Sequence, residues 1–119
     1  MVKQIYAGVL TANLEQARSW YASVFGRDAD TNPMSGLYEW NVGECVLQLV
    51  DLAKVREIQS LPDWGSPGAS SVTLVVDDIK AITANLTPVS HFDGPAFSTT
   101  SVRDIDGNLV TLLQPVAKH

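Results

Sequence analysis

Apolar and polar positions along the chain fall into two blocks with one plan. Gln4–Leu10 is a short run rich in β-formers and predicts a strand. After Thr11-Ala12-Asn13 the spacing changes. Leu14, Ala17, Trp20, Tyr21, Val24 and Phe25 recur at the helical period and make one apolar stripe, so 14–25 is predicted to be a helix. Asn13 suits its N-cap, Gln16 stands where a capping box would reach back, and Gly26 stands where a left-handed C-cap sits. Ala29–Pro33 then reads as a weak strand or loop. Gly36–Val42 alternates like a half-buried strand, and Glu44–Val50 is another, with a turn at Gly43 between them.

The same order returns 65 residues on, the interval from Asn13 to Asp78. Ser71–Val76 is a predicted strand, and Asp78 precedes Ile79, Ile82 and Leu86 at helical spacing. Segments around His91, from Ala96 to Arg103 and from Asn108 to Gln114 read as further strands, the last two joined by the turn Asp104-Ile105-Asp106-Gly107. Leu52–Ser60 admits a short helix, and Leu61–Gly68 is a breaker-rich linker holding Trp64. A single repeat cannot bury both faces of its sheet. The expected fold is therefore α+β: one domain over 1–119, with repeat one at about 1–51, a linker at about 52–68 and repeat two at about 69–115. Its halves close within one chain or across two.

Composition narrows the setting. Hydrophobic residues at 45% and charged residues at 18% exclude a disordered chain. No apolar run approaches the roughly 20 residues that cross a bilayer, so no membrane partner is expected. Met1-Val2-Lys3-Gln4 lacks the features of a signal peptide, which makes a cytoplasmic location the expectation. The net charge of −5 and the lack of a Lys/Arg cluster argue against nucleic acid. Cys45 is the single cysteine and is expected to be a small buried residue, because no neighbouring cation would activate it.

In this order, several motifs carry a resemblance: Ala12-Asn13-Leu14, Ala17-Arg18-Ser19-Trp20-Tyr21, Val24-Phe25-Gly26, Val75-Val76-Asp77-Asp78, and the closing run from Arg103 to Gln114. Together they resemble the vicinal-oxygen-chelate superfamily of glyoxalases, bleomycin resistance proteins and extradiol dioxygenases. The closing run looks like that superfamily's Asp-Pro-Asp-Gly-Asn turn, with Ile105 in place of the proline. The resemblance implies tandem βαβββ repeats forming a curved, cup-shaped mixed sheet with helices outside. It also implies a divalent metal held by one residue from each of four strands, usually His, Glu or Gln. The first ligand of each repeat stands seven residues before the helix N-cap, which falls on Tyr6 and Ser71. The other two precede a leucine in each last strand, which falls on Gln48 and Thr111.

Those four side chains offer one amide oxygen and three neutral hydroxyls, a set that competes poorly with water for a divalent ion. No metal or other cofactor is therefore expected. By strand alternation Gly8, Leu10, Val46, Thr73, Val75, Leu109 and Leu113 share the cup face, giving an apolar surface with a few hydrogen-bonding groups. The candidate ligand-binding residues are Tyr6, Trp40, Gln48, Ser71, Thr73 and Thr111, with Trp40 as a stacking surface. Phe97 is a second candidate stacking surface, with core packing favoured for it; Trp20 and Tyr21 are expected in the core, and Trp64 as a lid or a dimer contact. His91 is expected in a loop or at a strand edge, Glu44 as a solvated turn charge, and His119 without a role.

Three functions compete. The favoured one is a small-molecule binding protein of the bleomycin-resistance type, a homodimer that sequesters an aromatic or drug-like ligand without catalysis. The alternative is a lyase, epimerase or dioxygenase of the same superfamily with its metal on shifted ligands such as His91, Glu39 or Glu44. The third is a regulatory partner that uses the fold only as a dimerisation scaffold.

Overall fold

The first helix forms where its caps place it. In the computed structural model, which describes residues 1–116, β1 (Ile5–Leu10) leads into α1 (Leu14–Phe25). The Asn13 side chain accepts the Gln16 N–H at 3.3 Å. Gly26, at φ 72°, closes the helix in the left-handed region that its missing β-carbon permits. The expected capping box is not completed. The Asn13 N–H donates instead to Thr11 Oγ1 at 3.1 Å, a hydroxyl only two residues away. Next come β2 (Thr31–Met34), β3 (Leu37–Val42), β4 (Cys45–Val50) and α2 (Leu52–Arg56). The second repeat supplies β5 (Ser71–Val75), α3 (Ile79–Thr83), β6 (Ser90–Asp93), β7 (Phe97–Arg103) and β8 (Leu109–Pro115).

Each repeat makes one four-stranded mixed sheet, ordered β1-β4-β3-β2 and β5-β8-β7-β6. The first and last strands of a repeat pair parallel and the rest antiparallel. A parallel pair needs a crossover, and the helix after the first strand provides it. The α+β architecture of two βαβββ repeats in a cup-shaped arrangement is as expected. No helix among the described residues is long and apolar enough to cross a membrane.

Strand alternation divides each sheet into a helix face and a cup face. The helix faces share one core. Val9, Leu47, Leu49 and Trp40 of the first sheet pack with Ala17 and Tyr21 of α1 and with Val102, Val110 and Leu112 of the second sheet. Trp20 lies at the edge of this core, edge-on to Tyr21 at 4.8 Å between ring centres.

The repeats are joined at one end by a polar lock. Asp104, in the β7–β8 turn, is buried and accepts four hydrogen bonds. The Asp106 and Asn108 N–H groups donate to one oxygen; the Tyr21 hydroxyl (2.7 Å) and the Asn108 amide donate to the other. Asn108 then donates to the Leu10 carbonyl at 2.9 Å and accepts the Gly68 and Ser70 N–H groups. The Asp/Gly turn visible in the sequence thus ties β1, α1 and the linker to repeat two. Burial, with the Asp104 carboxylate alongside, raises the Tyr21 phenol well above the usual tyrosine range.

Two expectations about the core fail. Cys45 is exposed, because it opens β4 beside a tight turn rather than sitting mid-strand. Phe97 is 40% exposed, because its register with Pro115 sets it on the cup face, where it meets Phe92 at 6.4 Å between ring centres.

Candidate functional site

The cup faces are the open surfaces of the chain. Its radius of gyration is 15.0 Å, above the roughly 13–14 Å of a compact domain of this length. Tyr6 is 53% exposed and Val75 is 70% exposed, and Ser71, Thr73 and Phe92 are exposed with them.

Register shows that the two floors are built alike. Gly8 lies opposite Gln48, with Tyr6 two positions earlier; Thr73 lies opposite Thr111, with Ser71 two positions earlier. Counting from the turn glycines gives unequal spacings, because the β3–β4 and β7–β8 turns differ in length. On β3, Glu39 pairs with Gln48, and on β7, Ser101 pairs with Thr111. Tyr6, Gln48, Ser71, Thr73 and Thr111 therefore all take the cup face.

Trp40 does not. It pairs with Leu47 on the helix face, is fully buried, stacks on Phe25 at 5.4 Å and donates its indole N–H to the Arg27 carbonyl. It packs the core and has no access to the cup, so its place as a ligand-stacking residue is corrected. The aromatic surface comes from the linker instead. Leu61 and α2 pack over Leu10, Leu37 and Val50 at one end of the first cup face. The chain then carries Trp64 over Gly8, its Cζ3 atom 3.9 Å from where a β-carbon on Gly8 would sit. An alanine at position 8 would still fit beneath the indole, whereas a longer side chain would meet it. Trp64, expected as a lid or a dimer contact, thus stands over the floor as a lid would.

Beside Trp64 the floor is polar. Gln48 Nε2 donates to Glu39 Oε2 at 2.9 Å, and the Thr31 hydroxyl donates to Glu39 Oε1 at 3.0 Å. In repeat two the Ser101 and Thr111 hydroxyls are joined at 2.8 Å. Among the described strand residues, Glu39 is the one acidic side chain on either cup face.

The fold implies a metal, and these residues do not fit one. Their donors are a phenol, an amide and hydroxyls. The Gln48 carboxamide and the Thr111 hydroxyl are already engaged with Glu39 and Ser101. Glu39 adds a single carboxylate. The shifted set does not assemble around it: Glu44 lies in the β3–β4 turn, and His91 lies on the helix face of β6. There His91 bonds Thr100 at 2.7 Å and Asp93 at 3.0 Å. Hydrogen bonds from Ser98 and His91 hold Asp93 below the usual carboxylate range. Among the described residues, no three His, Cys, Asp or Glu side chains are grouped to hold an ion. His91 occupies the edge strand expected of it, and His119 lies outside the described residues.

No protein-family model and no curated protein matches the chain. Solved structures do. A glyoxalase/bleomycin resistance protein from Catenulispora acidiphila superposes with a TM-score of 0.73 at 18% identity, over 95% of this chain and 98% of that one. The chain has the glyoxalase/bleomycin resistance fold. A lactoylglutathione lyase from Agrobacterium tumefaciens shares that fold with a TM-score of 0.75 at 19% identity, over 92% of this chain and 91% of that one. An antibiotic binding protein from Streptomyces does so with a TM-score of 0.72 at 20% identity, over 98% of both chains.

Proposed function

We propose that this protein is a metal-free member of the vicinal-oxygen-chelate superfamily. In this reading it binds an aromatic or drug-like small molecule on its cup face, as a cytoplasmic homodimer. The observation that carries this is the composition of the floor. Trp64 offers a partly exposed ring over Gly8, and hydroxyl and amide groups of Tyr6, Gln48, Ser71, Thr73 and Thr111 surround apolar strand positions. Such a mixture suits a planar ligand oriented by a few hydrogen bonds, and stacking on an indole adds about 0.5–1.5 kcal/mol beyond area burial. That one protein of the same fold is described as antibiotic binding agrees with this use.

A second copy would complete the site. The helix faces already share their core within the chain, so the cup faces need a partner surface, and Phe92 and Phe97 offer an aromatic patch for it. The test is a titration of purified protein with a panel of planar aromatic compounds, read by calorimetry and Trp fluorescence. Saturable binding with no chemical change in the ligand, weakened at least tenfold by Trp64→Ala, supports the proposal. Failure of the whole panel to bind, or turnover of a bound compound, would overturn it.

A further inference from the structure

The seam between the repeats ends differently on its two sides. Equivalent register makes Val42 and Cys45 the counterparts of Asp104 and Asn108: each pair closes its strand pair one step beyond Asn41–Val46 or Arg103–Leu109. In repeat two those positions hold the polar lock. In repeat one they hold a valine and a thiol at a two-residue turn, which have no comparable hydrogen bonds to send across the seam. A cleft of about 650 Å³ opens there instead.

Its walls are Ala7 and Leu47 from the first sheet, Val72 and Leu74 from the second, and Phe25 and Ile82 from the two helices. Most of it lies on the helix side, away from Tyr6, Gln48, Ser71 and Thr111, while Val46, Thr73 and Val75 of the cup face also line it. Two charged residues, Arg27 and Asp77, stand at its edge. The Arg27 guanidinium is already committed to Asp30, at 3.1 and 3.2 Å, and to the Asn41 carbonyl at 2.7 Å. It has little left for an anionic ligand.

We propose that this cleft is a second binding site, distinct from the floor under Trp64 and sharing only Thr73 with its candidate residues, that takes a neutral and predominantly apolar molecule of one or two fused rings. Its volume lies in the roughly 300–1,000 Å³ range of ligand sites, and its aliphatic and aromatic walls give desolvation as the driving force. Cys45 lines the mouth and is exposed, so it reports occupancy directly.

The test uses the intact protein and N-phenyl-1-naphthylamine, an uncharged dye built on two fused rings. Dye fluorescence should saturate at one molecule per chain, and alkylation of Cys45 by N-ethylmaleimide should slow at least fivefold at saturation. Ala7→Phe and, independently, Cys45→Trp should each weaken dye binding at least tenfold. Trp64→Ala should leave it unchanged. Dye binding lost with Trp64→Ala but kept in both filled variants would place the dye on the cup floor and overturn the proposal. So would Cys45 protection that grows with protein concentration alone, since a second copy would then cover the cleft. Unchanged alkylation of the wild-type protein at saturating dye overturns it whether or not the filled variants fold.

Discussion

Asn108→Ala should be the costliest single side-chain truncation in the polar lock. Asn108 is 1% exposed and its carboxamide makes four hydrogen bonds: two accepted from Gly68 and Ser70, two donated to Leu10 and Asp104. Leu10 and Asp104 are both buried, so the Leu10 carbonyl left behind has no easy access to water. The Asp104 carboxylate keeps three of its four hydrogen bonds and loses a charge-assisted one. An unsatisfied buried group costs about 1–3 kcal/mol, and a hydrogen bond to a charged group contributes about 1.5–3 kcal/mol. Gly68 and Ser70 are half-buried and regain water, adding a few tenths each. The sum is about 3–5 kcal/mol, a large part of the roughly 5–15 kcal/mol that holds a domain folded. Urea unfolding followed by Trp fluorescence measures it, with the urea dependence unchanged from the parent. Asn108→Asp keeps the shape but sets a carboxylate oxygen about 2.9 Å from Asp104, so its deficit should shrink on acidification. A loss below about 1 kcal/mol for Asn108→Ala, at unchanged urea dependence, would refute the assignment of the lock.

Tyr21→Phe removes the hydroxyl that donates to Asp104, and at pH 7 should cost about 1–3 kcal/mol. Because the folded-state pKa of Tyr21 is raised, its contribution is complete below pH ~10 and falls as the pH rises further, where the unfolded chain ionises and the folded one does not. The wild-type advantage over the variant should therefore narrow above pH ~10 in a stability profile. Gly8→Leu should displace the indole and blue- or red-shift Trp64 emission, whereas Gly8→Ala, at ordinary contact distance, should not. Phe92→Ser with Phe97→Ser should shift the protein from twice the chain mass toward the chain mass in light scattering, without lowering its melting temperature.

The fold was legible because both repeats write the same pattern. The α1 stripe, the caps at Asn13 and Asp78 and the Asp/Gly turn are local signals, and each does locally what its chemistry predicts. Tyr6 and Ser71 could be placed because equal offsets from the two helix caps fix them, and Gln48 and Thr111, more loosely, because each precedes a leucine in its repeat's last strand. Trp40 could not be phased, since Leu-Tyr-Glu-Trp-Asn-Val permits either face until Glu39 is seen paired with Gln48. Trp64 was named as a lid or a dimer contact, and the choice between the two was out of reach for another reason. Its position over Gly8 depends on the path of a linker anchored by Leu61 on Leu10 and Val50, a tertiary contact with no periodic signature. Cys45 looked buried because its neighbours Val46 and Leu47 are, and the tight turn at Gly43 leaves it outside.

The central claim is that the cup binds its ligand without a metal. It is tested most directly by calorimetry of an aromatic ligand from the panel, using protein purified without chelators whose metal content is measured alongside. The account predicts no stoichiometric transition metal, and an affinity unchanged by excess EDTA or by added Zn²⁺, Ni²⁺ or Mn²⁺. One metal ion per chain, or binding that vanishes with EDTA and returns with metal, would contradict it.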